Sequence, residues 1–164
     1  MAKLAINGGE KIRTKPFPAY NFIDDKEINA VTEVLKSGKL SSFIGCWHPS
    51  FYGGSQVQAL EKEWAEYFGV KHAISVNSNT SGLICAIGAA GIGPGDEVIV
   101  SPYTMSASAT SIMIFNGVPV FADIEPNYFC LDPKSVEEKI TERTKAIMVV
   151  DILGQPHDVD AIRA

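Results

Sequence analysis

From His72 to Asp151 the chain alternates short apolar runs with helical patterns, and this alternation constrains the fold more than any other feature of the sequence. His72–Val76, Glu97–Ser101, Val118–Asp123 and Lys145–Asp151 read as strands. Between them Thr80–Ala90, Ser106–Phe115 and Asp132–Ile140 read as helices, the last opened by Asp132 as N-cap with Pro133 at the first helical position. Gly93-Pro94-Gly95-Asp96 and Asn116-Gly117 supply turns between the units. Strands separated by helices at this spacing build βαβ units. The expected fold class is therefore α/β: a three-layer, mainly parallel sheet with helices on both faces.

One stretch invites a different interpretation. No charge occurs from Val98 to Ala122, a run long enough for a membrane helix. Pro102, Gly117 and Pro119 interrupt it, however, and it carries six serines and threonines from Ser101 to Ser111. It reads as strand, buried helix and strand in a soluble core. The formal net charge of −5 and the lack of a basic block argue against nucleic acid or an anionic membrane as partner. Cys46, Cys85 and Cys130 are far apart and odd in number, fitting neither a disulfide framework nor a zinc site. No signal peptide is visible, so a reducing, cytoplasmic setting is expected, and no metal.

Ahead of the alternating region, residues 1–22 read as an irregular arm with Pro16 and Pro18. A helix starts at Asp24, with Glu27 completing a capping box, Ile28, Val31 and Leu35 as its apolar stripe, and Gly38 as its stop. Residues 39–54 form a long loop bearing Phe43, Trp47, Phe51 and Tyr52, expected at a subunit interface and at the substrate mouth. A second helix opens at Ser55, with Gln58 at the capping-box position and Val57, Leu60, Trp64 and Phe68 facing inward. The expected division is 1–54 (arm, first helix, aromatic loop) and 55–164 (the front of a larger domain). At the far end Asp158 caps a helix with only Val159 to Ala164 to build it. The last strand is therefore expected to lack a covering helix, which reads as an incomplete domain.

Chemistry is expected at strand ends. Val76-Asn77-Ser78-Asn79-Thr80-Ser81-Gly82-Leu83 joins a strand to a helix, where free amides and the helix dipole favour an anion. Two readings are open there: phosphate binding, and plain helix capping by Ser78 or Asn79. The segment matches neither the dinucleotide nor the ATP glycine pattern. Ser101 to Thr110 follows the next strand, where open α/β sheets place ligands. Its Ser108, Thr110 and Ser111 also suit a buried helix whose hydroxyls bond back to its own carbonyls. His48, His72 and His157 are scattered, and Asp151, at a strand end, has two readings: a carboxylate facing a crevice and a solvated strand-end carboxylate.

Taken together these segments resemble one family. Gly53-Gly54 before Val57-x-x-Leu60-Glu61, then Asn77 to Leu83, Pro94-Gly95-Asp96-Glu97-Val98-Ile99 and Pro102-Tyr103-Thr104 come in its order. Pro119 to Asp123, Ile140-Thr141, Thr144-Lys145-Ala146-Ile147 and Gly154-Gln155-Pro156 complete the match. The chain is similar to the DegT-type sugar aminotransferases, fold-type I enzymes that use pyridoxal 5′-phosphate (PLP). The resemblance implies Thr80 and Ser81 as the phosphate-cradling pair. It places Met105 where the family has an aromatic ring over the pyridine, a departure that a thioether can partly meet. Asp151 stands where many relatives have His, and no role carries over to it. The resemblance also implies that the Schiff-base lysine, the pyridinium-pairing aspartate and the small C-terminal domain lie beyond Ala164, so that these 164 residues alone do not catalyse. The implied activity moves an amino group from glutamate or glutamine to a keto group on a nucleotide-linked sugar or a cyclitol, in a homodimer. A sugar dehydratase using the same cofactor and a non-catalytic binding module are the alternatives.

Overall fold

The computed structural model describes residues 3–164, so the expected arm is seen from Lys3 onward. The chain divides after Ala73 into two compact units.

Among its described residues the first unit holds two α-helices, after a single 3-10 turn at Ala5–Asn7. α1 (Asp25–Ser37) opens with the expected capping box: Asp24 accepts from the Lys26 amide at 2.7 Å while Glu27 accepts from the Asp24 amide at 2.8 Å. It stops at Gly38, whose φ of 67° lies in the left-handed region that glycine tolerates. α2 (Ser55–Phe68) begins differently from expectation. Gly54 is its N-cap and lends no side chain, and Gln58 donates to the Gly53 carbonyl at 2.8 Å instead of closing a capping box. The aromatic loop between them stacks Trp47 on Phe51 and sets Tyr52 edge-on to Phe51. Among the described residues of this unit only Gly53 is buried, so neither helix packs its apolar stripe within the unit.

The second unit contains α3 (Asn79–Ala89), β1 (Glu97–Val100), α4 (Ser106–Met113), β2 (Val118–Phe121), α5 (Pro133–Lys139), β3 (Thr144–Met148) and α6 (Val159–Arg163). Its sheet is parallel throughout, with order β2-β1-β3. β1 is central, and Val98, Ile99 and Val100 have no exposed surface. Their side chains alternate between two cores, as strand geometry requires. Val98 and Val100 pack with Ile87 of α3 and Ile112 of α4, while Ile99 packs with Leu131 and with Val136 of α5. Burying each such side chain contributes roughly 1.5–3 kcal/mol, more than any one helix cap at about 1 kcal/mol. The expected three layers are thus present. The uncharged run from Val98 to Ala122 forms strand, helix and strand, and no helix among the described residues is long and apolar enough to cross a membrane.

Close packing explains one turn residue. A Cβ on the buried Gly117 would come within 2.8 Å of Ile92 and 2.9 Å of Ile112, so the α4–β2 turn admits only hydrogen there.

Two expectations fail. His72–Val76 is not a strand: a run of apolar residues becomes one only by pairing, neither sheet edge takes it, and Ile74 is left 82% exposed. Nor does β3 lack cover. Ile147 and Val149 pack on the Ile99 cluster together with Ile162 of α6, and this contact plus the Asp158 cap, which accepts from the Ala161 amide at 3.0 Å, holds the five-residue helix.

The amino ends of β1 and β3 are tied by a buried carboxylate. Glu97 accepts from Arg143 Nε at 2.8 Å and from the Thr141 hydroxyl, and both bonds hold its carboxyl below the usual range. A depressed carboxyl stabilises the fold above its unfolded pKa and loses that contribution as pH falls through the folded value. Glu97→Gln should therefore lower the thermal midpoint at pH 7, and the gap from wild type should begin to narrow as pH drops below about 4.3 and vanish below the lowered folded value. A set of melts across pH checks this; a gap independent of pH would contradict it.

Candidate functional site

The connections around the sheet decide where a ligand can sit. β1 leads through α4 to β2 on one side, and β2 leads through α5 to β3 on the other side of β1. The crossovers part between β1 and β3, and open α/β sheets bind ligands outside the carboxyl ends at such a point. The residues there are Ser101 to Met105 after β1 and Val149 to Asp151 after β3. α3 reaches the same end. A short turn joins its carboxyl end to the amino end of β1, and it packs against α4, so its amino end lies toward the carboxyl end of β1.

At that amino end the hydrogen bonds divide the residues into capping groups and open ones. Ser78 is the N-cap, accepting from the Ser81 amide at 3.1 Å. Ser81 donates its own hydroxyl to Asn77 Oδ1 at 2.6 Å. Capping therefore uses Ser78 and Ser81. The amides of Asn79 and Thr80 and the Thr80 hydroxyl make no hydrogen bond to any described residue, and both residues are exposed. Two free amides and a hydroxyl stand at the positive end of an eleven-residue helix, a position that favours an anion. Ser81 can join only by releasing Asn77. Gly82 is not demanded by the fold: a Cβ there would meet only Val76, at an ordinary 3.5 Å.

After β1, the buried Ser101 accepts from the Tyr103 amide at 3.0 Å and turns the chain toward α4. Thr104 and Ser108 share a hydroxyl bond of 2.9 Å, and Ser111 donates back to the Ser108 carbonyl at 3.0 Å, so these hydroxyls serve the helix itself. Met105 is the N-cap of α4 and its side chain is 77% exposed. Tyr103 is half-exposed and its ring lies 5.8 Å from that of Phe129.

Asp151 is solvent-exposed and in addition has a side-chain partner. Its Oδ1 lies 2.6 Å from His157 Nδ1 and accepts from the His157 amide at 3.1 Å. The bonds from His157 hold the Asp151 carboxyl below the ordinary range. Six positions separate the pair, and only the turn through Leu153 and Gly154, both at positive φ, brings them together. The signal available in the sequence was Gly154 and Pro156 between an acid and a histidine.

A parallel sheet covered on both faces, with a helix amino end at the carboxyl ends of its strands, defines a class: α/β folds that place ligands outside those strand ends. Within that class, residues 21–164 match the model of the DegT/DnrJ/EryC1/StrS aminotransferase family, and the chain belongs to it. It is 41% identical over 161 residues to an L-glutamine:2-deoxy-scyllo-inosose aminotransferase from Streptomyces lividus, covering 98% of this chain and 37% of that one. It is 47% identical over 142 residues to the spore coat polysaccharide biosynthesis protein SpsC of Bacillus subtilis (strain 168), covering 87% of this chain and 34% of that one. The chain thus spans little more than a third of these relatives. Among solved structures, 3-amino-5-hydroxybenzoic acid synthase superposes with a TM-score of 0.80 at 34% identity, over 90% of this chain and 36% of that one. A sugar aminotransferase from Streptococcus pneumoniae in its PLP form gives 0.76 at 31% identity, over 87% and 33%. The fold is that of the fold-type I PLP enzymes.

The donors at α3 suit the phosphate of that cofactor, with Thr80 the open hydroxyl. Thr80→Val should weaken PLP binding about tenfold or more, the weight of one hydrogen bond to a charged group at about 1.5–3 kcal/mol. An equilibrium titration of the full-length protein with PLP checks this, and an unchanged dissociation constant would contradict it.

Proposed function

We propose that the protein carrying this chain transfers an amino group from glutamine or glutamate to the keto carbon of a cyclitol or a nucleotide-linked sugar, using PLP, as a cytoplasmic homodimer. The observation that carries this reading is the set of unbonded donors on Asn79 and Thr80, at the carboxyl end of a parallel sheet, in a chain of an aminotransferase family. The relatives named for L-glutamine and scyllo-inosose support the donor and the acceptor class.

In this reading Asn79 and Thr80 hold the cofactor phosphate, and the helix dipole, about half a positive charge at this end, favours the dianion. Met105 offers a thioether to the face of the ring in place of an aromatic side chain. Bound there, PLP supplies the electron sink that amino transfer needs, while the protein orients it. The Phe43, Trp47, Phe51 and Tyr52 loop, rich in exposed aromatic surface, is assigned to the subunit interface.

The test uses the full-length protein loaded with PLP. L-Glutamine alone should change the absorption spectrum of the bound cofactor, and subsequent 2-deoxy-scyllo-inosose should restore it with formation of the aminated cyclitol by mass. Bound PLP whose spectrum responds to neither glutamine nor glutamate would contradict the proposal.

A further inference from the structure

Three side chains at the amino end of α3 form a short relay in which every hydroxyl proton is used. The Ser81 amide donates to Ser78 Oγ at 3.1 Å. The Ser81 hydroxyl has one proton, and it goes to Asn77 Oδ1 at 2.6 Å. The 3.1 Å bond between the two hydroxyls therefore takes its proton from Ser78. Ser81 has no proton left for an anion. The Thr80 hydroxyl beside it makes no hydrogen bond to any described residue and keeps its own.

The Asn77 end of this relay is the one that can open. Asn77 is exposed, so water replaces Ser81 at its Oδ1 with no buried group left unsatisfied. Ser78 caps α3 through the Ser81 amide, a bond that does not involve Asn77, so the helix start survives the exchange. A hydrogen bond to a charged oxygen is about twice as strong as one between neutral groups. The Ser81 proton thus has two alternative acceptors, a carboxamide oxygen in place and a phosphate oxygen when one arrives. The phosphate is the stronger acceptor, yet its net gain is reduced by the bond that Ser81 gives up.

We propose that Asn77 is a positioning residue that acts through Ser81 and tunes the phosphate site by competition. It holds the Ser81 hydroxyl in the free protein and yields it to the PLP phosphate, so the site binds less tightly than its donors allow. This rests on the reading of α3 as the phosphate site and deepens it. The proton stays on Ser81 Oγ throughout and only its acceptor changes, from Asn77 Oδ1 to a phosphate oxygen.

The experiment uses the full-length protein freed of cofactor and titrated separately with PLP, inorganic phosphate and pyridoxal. Asn77→Ala should tighten PLP and phosphate by about threefold to tenfold, the worth of one neutral hydrogen bond. Pyridoxal, which lacks the phosphate, should bind as before. In a Ser81→Ala background the same substitution should change nothing, because the contested proton is gone. A residue that only braced the turn would behave in the opposite way, its loss weakening all three ligands with or without the Ser81 hydroxyl. In the wild-type protein the Asn77 carboxamide signals of ¹H–¹⁵N spectra should move as phosphate saturates, a readout that needs no variant to fold. An affinity for PLP that Asn77→Ala leaves unchanged or lowers, a gain that persists in Ser81→Ala or extends to pyridoxal, or carboxamide signals that stay in place would overturn the proposal. Thr80→Val, titrated alongside, separates the two failures. If it leaves PLP binding unchanged, the phosphate site itself is removed; if it weakens PLP while Asn77→Ala does nothing, only the competition is.

Discussion

The burial of β1 on both faces governs the second unit. Val98 and Val100 turn one way and Ile99 the other, so helices must cover both sides before this strand is stable. Once α3 and α4 lie on one face and α5 and α6 on the other, the crossovers have to part beside β1. The carboxyl ends beside that parting are where α/β folds place ligands. The chemical groups there are short-range decorations on a position already determined by aliphatic packing.

At those ends, hydrogen-bond economy separates structural groups from available ones. Ser78, Ser81 and Asn77 satisfy one another, as do Thr104 and Ser108. The open groups among the described residues include two amides and the hydroxyl of Thr80 on α3. An anion suits them because the helix dipole and the amides both favour negative charge.

Much of this was legible in the sequence, for identifiable reasons. The strand at Glu97–Val100 and the helices beside it announce themselves through periodicity, and Asp24, Asp132 and Asp158 mark helix starts because capping is a local interaction. Thr80 could be singled out because strand, small hydroxyl residues and helix follow one another directly. The failures all involve partners distant in sequence or choices between local partners. His72–Val76 has strand composition but joins neither edge of the sheet, which only the sheet order reveals. Gln58 had two local options and took a carbonyl. The Asp151–His157 pair depends on Leu153 adopting a φ of 53°, a conformation that a leucine seldom announces.

The central claim is that the open amides of Asn79 and Thr80 form a phosphate site. Amide ¹H–¹⁵N spectra of the labelled full-length protein, recorded through a titration with PLP, test it most directly. The account predicts saturable downfield shifts of the Asn79 and Thr80 amides, with the Ser81 amide, already held by Ser78, moving less. Saturation of the protein with PLP while both amides stay in place would contradict it.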